Sequence, residues 1–220
     1  MTDLRPTGSW GNLPVPPDPF HQSAFADERL HRWLDLLLQT PGLTSIGDRE
    51  QARRVHVEDS LRALPLLESF PGPIVDVGSG GGAPGVPLAA ALPGREVTLL
   101  EANRRKATFL EGVAADFPNL RVVWGRAEEQ ELERFGVAVA KALAPPPVAA
   151  EWCLPLVAVG GAAILWVGPS ADVSALRTAA ERLDAPVPQL HGGLVVLRKE
   201  NATPSGFPRR PGVARKRPLA

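Results

Sequence analysis

Ile74-Val75-Asp76-Val77-Gly78-Ser79-Gly80-Gly81-Gly82-Ala83-Pro84-Gly85-Val86-Pro87-Leu88 is the stretch that decides the fold. A short run rich in β-branched residues ends in an acid, and a glycine cluster then opens onto a second apolar stretch. That order reads as strand, tight turn and helix N-terminus, an arrangement that brings a ligand against backbone N–H groups. A second apolar run, Val97-Thr98-Leu99-Leu100, also ends in an acid, Glu101. An acid there can accept hydrogen bonds from a ribose. The pair indicates a nucleoside-bearing cofactor.

Outward from this motif the pattern alternates. Strands are expected at 74–77, 96–101, 121–124, 137–142, 162–167 and 194–198, with helices near 85–92, 104–116, 127–133, 147–157 and 172–182. Short apolar strands alternating with helices predict an α/β fold, Rossmann-like, with a mostly parallel sheet covered on both faces. The last strand, after Gly192-Gly193, is read as an antiparallel hairpin partner. Before the motif, Ser23 is expected to cap a helix carrying Phe25, Leu30, Trp33, Leu34, Leu37 and Leu38, stopped by Pro41-Gly42. Asp48 is expected to cap a second helix through Val55, His56 and Leu61 to Pro65. The organisation is an irregular lead-in at 1–20, a helical cap at 21–70, a cofactor-binding domain at 71–200 and an extended basic tail at 201–220.

With 220 residues the chain builds one α/β domain with a small appendage. Lys+Arg and Asp+Glu are both 24, so no global field draws the protein to nucleic acid, and any basic surface is local. One cysteine fits a reducing cytosol, and a cytoplasmic location is expected. No apolar stretch approaches a membrane span, the first six residues are no signal peptide, and no membrane partner is expected.

Gly78-Ser79-Gly80-Gly81-Gly82-Ala83 also fits the dinucleotide fingerprint G-x-G-x-x-G/A, so a dehydrogenase using NAD stays open. Three features favour S-adenosylmethionine. Asp76 stands where dinucleotide folds bury an apolar residue, and an acid there suits the cationic end of the methyl donor. Pro84 and Pro87 remove N–H groups that a pyrophosphate would need. The chain has no tyrosine, which excludes dehydrogenases with a catalytic one.

The chain resembles the RsmG (GidB) family of 16S rRNA guanine-N7 methyltransferases over nearly its whole length. The run from Asp76 to Leu88 looks like that family's D-V-G-[ST]-G-x-G-x-P-G-[IV]-P-L signature. Leu100-Glu101 with Arg104-Arg105-Lys106 and Phe109-Leu110, His56-Val57-Glu58-Asp59-Ser60-Leu61, Gly125-Arg126-Ala127-Glu128-Glu129 and Glu151-Trp152-Cys153-Leu154-Pro155 resemble further family elements. So does the closing run from Phe207 to Leu219. The resemblance implies a class I methyltransferase fold, bound S-adenosylmethionine and a guanine of the small-subunit rRNA as acceptor. It places Gly78, Ser79, Gly80 and Gly82 at the methionine and ribose part, Glu101 at the ribose hydroxyls, and Ala127 and Glu128 at the adenine. Asp76 and Pro84 complete the expected cofactor group. Three elements depart from the family: Ala140-Lys141-Ala142 stands where S-R-A is usual, Gly136 where an acid is frequent, and Gly42-Leu43-Thr44 where N-L-T is usual.

Guanine N7 carries a free lone pair on the major-groove edge, so its methylation needs positioning and no general base. Lys141, at the carboxyl end of the fourth strand, is the candidate substrate contact, against the alternative of a solvated strand-end lysine. His56 and Asp59 share a helix face and suit either an interhelical bond or a ligand contact. Cys153 lies between apolar neighbours and reads as a structural thiol. Arg104, Arg105 and Lys106 oppose the dipole of the helix they open, which suggests use on RNA, although a solvated face explains them equally. Arg209, Arg210, Arg215, Lys216 and Arg217 form an acid-free basic tail suited to phosphates. The expected partner is 16S rRNA or a small ribosomal subunit particle, the expected form a monomer, and no metal is expected. A diverged paralogue acting on another RNA, and a cofactor-binding module without turnover, remain alternatives.

Overall fold

The structure, a computed structural model, describes residues 27–168 and 173–220. Ser23 and Phe25, the expected start of the first helix, lie outside them. The described helix α1 (Glu28–Gln39) begins at Asp27, whose carboxylate accepts the Arg29 N–H at 2.9 Å. Leu30, Trp33, Leu34 and Leu37 form its buried stripe at i, i+3, i+4 and i+7. Asp48 caps α2 (Arg49–Ala52) by accepting the Gln51 N–H at 2.7 Å. The chain then widens into a π-helical turn, Arg53–Glu58, before α3 (Asp59–Leu61) and α4 (Leu64–Leu67). Pro65 therefore stands at the start of a new helix, where its missing N–H costs nothing, and not at the end of the old one.

The main domain follows as β1 (Ile74–Val77), α5 (Gly85–Ala91), β2 (Val97–Glu101), α6 (Arg104–Ala114), β3 (Leu120–Trp124), β4 (Phe135–Lys141), α7 (Pro146–Cys153), β5 (Val157–Trp166), α8 (Val173–Arg182), β6 (Gln189–His191), β7 (Leu194–Arg198) and α9 (Val213–Lys216). The sheet order is β3-β2-β1-β4-β5-β7-β6, parallel from β3 to β5, with β7 antiparallel to β5 and β6 antiparallel to β7. This is the predicted α/β class, a mostly parallel sheet with an antiparallel close. β6 adds an edge strand beyond the sequence reading. The order reverses between β1 and β4, the switch point beside which open α/β sheets bind ligands.

Alternate strand residues feed two cores. Ile74, Leu99, Val137 and Ile164 pack with α5, α6 and the stripe of α1, including Trp33 and Leu37. Val75, Leu100, Ala138 and Leu165 pack with Ala150, Cys153, Leu176 and Leu183. The N-terminal helices thus share one core with the sheet.

Two expectations are corrected. The helix expected at 127–133 is a single 3-10 turn, Ala127–Glu129, after which the chain passes to β4. The extended tail is instead folded back: Ala214 and Leu219 are buried, and Arg209 makes a two-pronged ion pair with the buried Glu151, with Arg209 Nε at 2.6 Å. A carboxylate taken out of water needs such a partner, and sequence spacing could not show that it lay in the tail.

Candidate functional site

The site is built at the carboxyl edge of β1, β2 and β4. Gly78 and Ser79 donate their N–H groups to Leu100 O at 2.7 and 3.2 Å, and Gly82 N–H closes a turn onto Ser79 O at 2.7 Å. Gly78, Gly80 and Gly82 take φ of +71°, +58° and +110°, where a side chain would be strained. The indole N–H of Trp33 in α1 donates to Gly81 O at 2.9 Å and pins the loop from above. Periodicity marked Trp33 as a core residue, but nothing in it reveals this bond.

Glu101 fastens the loop from the neighbouring strand, accepting Gly80 N–H at 2.9 Å on Oε2 and Asn103 N–H at 2.6 Å on Oε1. It still faces the cavity, and each carboxylate oxygen keeps a lone pair for a further donor such as a hydroxyl.

The start of α5 decides between cofactor classes. Gly85 N–H donates to Asp76 Oδ2 at 3.0 Å, Val86 N–H to Gly82 O at 2.7 Å and Leu88 N–H to Pro84 O at 3.1 Å, while Pro87 has none. Every first-turn donor is spent, so this helix end offers nothing to a pyrophosphate. Asp76 is 1 % exposed, and its Oδ1 is buried with no hydrogen-bond partner. Burial, only partly offset by the Gly85 N–H, pushes its carboxyl up to about 7. A buried acid under the loop, ionised only as pH rises through about 7, suits a cationic ligand and not a phosphate.

A cavity of about 710 Å³ lies over the loop. Gly78–Gly81 and Ala83 form its floor, and Glu101, Asn103 and Lys106 one wall. Gly125, Arg126, Ala127 and Glu128 close the far end; Lys141 and Leu143 form the opposite wall. Leu37, Leu43, Val55 and His56 of the N-terminal helices roof it, and Trp152 and Arg215 complete the rim. The volume and the donor set fit S-adenosylmethionine.

Of the expected cofactor group, Gly78, Ser79, Gly80, Glu101, Ala127 and Glu128 line this cavity, whereas Asp76, Gly82 and Pro84 lie beneath or behind it. Of the expected RNA group, Lys106, Lys141 and Arg215 line it and the rest do not. Arg104 lies over the Trp124 ring and Arg105 donates to Pro41 O at 2.7 Å. Arg210, Lys216 and Arg217 are exposed. Arg209 is paired with Glu151, which gives it a structural task in the fold.

Lys141 is no solvated strand end. Its ammonium sits 2.7 Å from Asp59 Oδ2 and donates to Val55 O, with its side chain 13 % exposed. Burial lowers its pKa, and Asp59 works against that shift. Asp59 also holds Arg62 at 2.7 Å, so Asp59 serves the contact between the helical unit and β4. His56 bonds Thr44 Oγ1 at 3.0 Å, and burial followed by the nearby Lys141 charge lowers its pKa, keeping the ring neutral at the roof. Cys153 is fully buried and its thiol is pushed up by that burial, as expected of a structural thiol.

The Gly136 departure has a backbone cause. A Cβ there would sit 1.8 Å from Pro71 O and 3.1 Å from Gly72 Cα, where the chain enters β4 at the end of the sheet away from the cavity.

The GidB family, described as rRNA small subunit methyltransferase G, matches residues 27–183. The chain belongs to this family. It is 38 % identical to the ribosomal RNA small subunit methyltransferase G of Moorella thermoacetica, covering 82 % of this chain and 84 % of that one. Against the protein of the same name from Synechococcus elongatus it is 34 % identical over 92 % of both chains. The corresponding protein of Granulibacter bethesdensis is 41 % identical over 72 % of both. Among solved structures, the CMeT domain of a citrinin polyketide synthase superposes with a TM-score of 0.55 at 10 % identity, covering 84 % of this chain and 67 % of that one, a likeness of fold alone. Membership makes the chain a methyltransferase dependent on S-adenosylmethionine, as the loop and its acids led one to expect.

Proposed function

We propose that this protein methylates N7 of a guanine in 16S rRNA, free or within a small ribosomal subunit particle. The observation that carries the reading is the cavity itself: a glycine-loop floor, a helix end with no donor left for phosphate, and a buried acid beneath, in a chain of the GidB family. When bound, S-adenosylmethionine supplies an electrophilic methyl group on its sulfonium. Gly78, Ser79 and Gly80 hold its methionine and ribose part, Glu101 its ribose hydroxyls, and Ala127 and Glu128 its adenine. Gly82 and Pro84 shape the loop, and Asp76 holds α5 while placing negative potential under the cationic end.

Because N7 presents a lone pair at neutral pH, the chain has no proton to remove from it. What its residues do is orient and exclude water. Leu37, Leu43 and Val55 roof the cavity with apolar groups. Lys141, in the cavity wall, supplies the charge to hold a phosphate or the guanine O6. Lys106 and Arg215 extend positive charge along the rim, with Arg104, Arg105, Arg210, Lys216 and Arg217 outside it. The setting proposed is the cytoplasm, and the working form a monomer; no helix among the described residues is long and apolar enough to cross a membrane.

The test is primer extension on 16S rRNA, after chemical cleavage at N7-methylguanine, with and without the protein. A single protein-dependent stop is expected. Methyl transfer without such a stop would move the acceptor to another atom or RNA, and no transfer to free rRNA or particle would end the reading.

A further inference from the structure

Trp124, the last residue of β3, is the most exposed aromatic side chain among the described residues, at 53 %. Burying an indole is among the largest single gains in a fold, so one left half in water at the functional edge of the sheet asks for a partner. It is also held still. Its Nε1–H donates to Ala102 O at 3.2 Å, and the Arg104 guanidinium lies 4.6 Å from the ring centroid. β3 is an edge strand of the sheet, and Trp124 pairs in register with Glu101 of the cavity wall. Gly125 and Arg126, next in the chain, line the cavity themselves. Arg104 and Arg126 are exposed on either side of the ring in sequence.

We propose that Trp124, with Arg104 stacked on it, is a platform on which an unpaired base of the RNA substrate stacks beside the cofactor cavity. The proposal rests on the reading of the protein as an RNA methyltransferase. The chemistry is that of single-strand recognition, in which bases lie on aromatic rings and guanidinium planes while nearby cations meet the backbone phosphates. A ring already fixed by a hydrogen bond and a guanidinium loses little freedom when a base lands on it. A duplex hides its base faces, so the platform selects unpaired RNA. The arrangement also gives Arg104 a use at a helix start, where its charge opposes the dipole.

The experiment compares the full chain with Trp124→Ala, Trp124→Phe and Arg104→Gln. Fluorescence anisotropy measures binding of a labelled single-stranded oligoadenylate and of a short RNA duplex, and calorimetry measures S-adenosylmethionine binding. Trp124→Ala is expected to weaken the oligoadenylate about tenfold, Trp124→Phe only a few-fold, and neither to change duplex or cofactor affinity. Arg104→Gln is expected to lower the salt slope by about one charge as well. Wild-type affinity in Trp124→Ala, equal loss on single strand and duplex, or no binding of oligoadenylate by the wild type would each overturn the platform. So would a dimer of the wild type that Trp124→Ala dissolves. Failure of the methylation assay with the single-strand preference intact would count against the acceptor, not against the platform.

Discussion

The floor and the rim of the cavity are held together by different means. In the floor most partners are backbone groups or carboxylates a short way along the chain: Gly82 to Ser79, Gly85 to Asp76 nine residues apart, Gly80 to Glu101 twenty-one apart; the Trp33 indole on Gly81 O, 48 residues off, is the exception. At the rim and in the folded-back tail the partners include long charged side chains from distant segments: Lys141 with Val55 across 86 residues, Arg209 with Glu151 across 58, and Gly212 N–H with Glu128 across 84. The floor is set by backbone geometry: a Cβ at Gly78 or Gly81 would strike Leu143 or Leu37, and Gly80 holds a φ that side chains rarely adopt. The rim is set by charge placement and should tolerate changes that keep a partner for every buried charge.

The largest loss is expected where backbone meets backbone, at the end of β4 away from the cavity. Gly136→Asp, which restores the acid frequent in the family, drives a Cβ against Pro71 O and should cost more than ~3 kcal/mol, read as a lower urea midpoint. An unchanged midpoint would show that the entry to β4 yields. At the rim, Arg209→Ala strands the buried Glu151 and should cost about 3 kcal/mol, whereas Arg209→Met with Glu151→Leu should recover most of it. If the double replacement is as unstable as the single, the pair is not what fastens the tail.

Lys141→Ala should lower kcat by roughly tenfold to a hundredfold, the worth of a charge-assisted hydrogen bond, and leave cofactor affinity nearly unchanged. Equal loss in both would return Lys141 to a purely structural role through Asp59. The last expected effect is a slope. Asp76 is raised from 3.8 to about 7 in the folded chain, so between about pH 4 and pH 7 the folded state keeps a proton that the unfolded chain has released. Its contribution is full below pH 4, falls as pH rises, and is gone above the folded value. Asp76→Asn should flatten that decline in a stability–pH series, and an unaltered slope would mean that other groups cause it.

Much of the floor was legible before any coordinates. Asp76, the glycine run and Glu101 are close in sequence, and their meaning follows from local geometry: glycines for left-handed φ, prolines for missing donors, an acid at each strand end. The strand alternation was equally plain, since a doubly covered parallel sheet writes continuous apolar runs. Other parts were not. The stretch 127–133 has helix-forming acids but no apolar stripe that a neighbour could cover, and it closes after one turn. The π-helical turn at Arg53–Glu58 leaves no mark in a 3.6-residue period. Arg209 looked like one more cation in a basic tail, because a charge acquires a structural role only when a distant carboxylate is buried beside it.

Sequence alone therefore settles the class of fold and narrows the cofactor to a nucleoside-bearing one, with a methyl donor favoured over a dinucleotide, because both readings depend on patterns that span a turn or two of chain. The tertiary structure decides which charges are spent and which are free. Of the basic residues expected on RNA, it commits Arg209 to Glu151 and Arg105 to Pro41 O, ties Lys141 to Asp59, and leaves Lys106 and Arg215 facing the cavity. It also stands an exposed Trp124 against Arg104. Coulomb attraction and burial act through space, between residues that chain order keeps far apart, so only the folded arrangement can assign them.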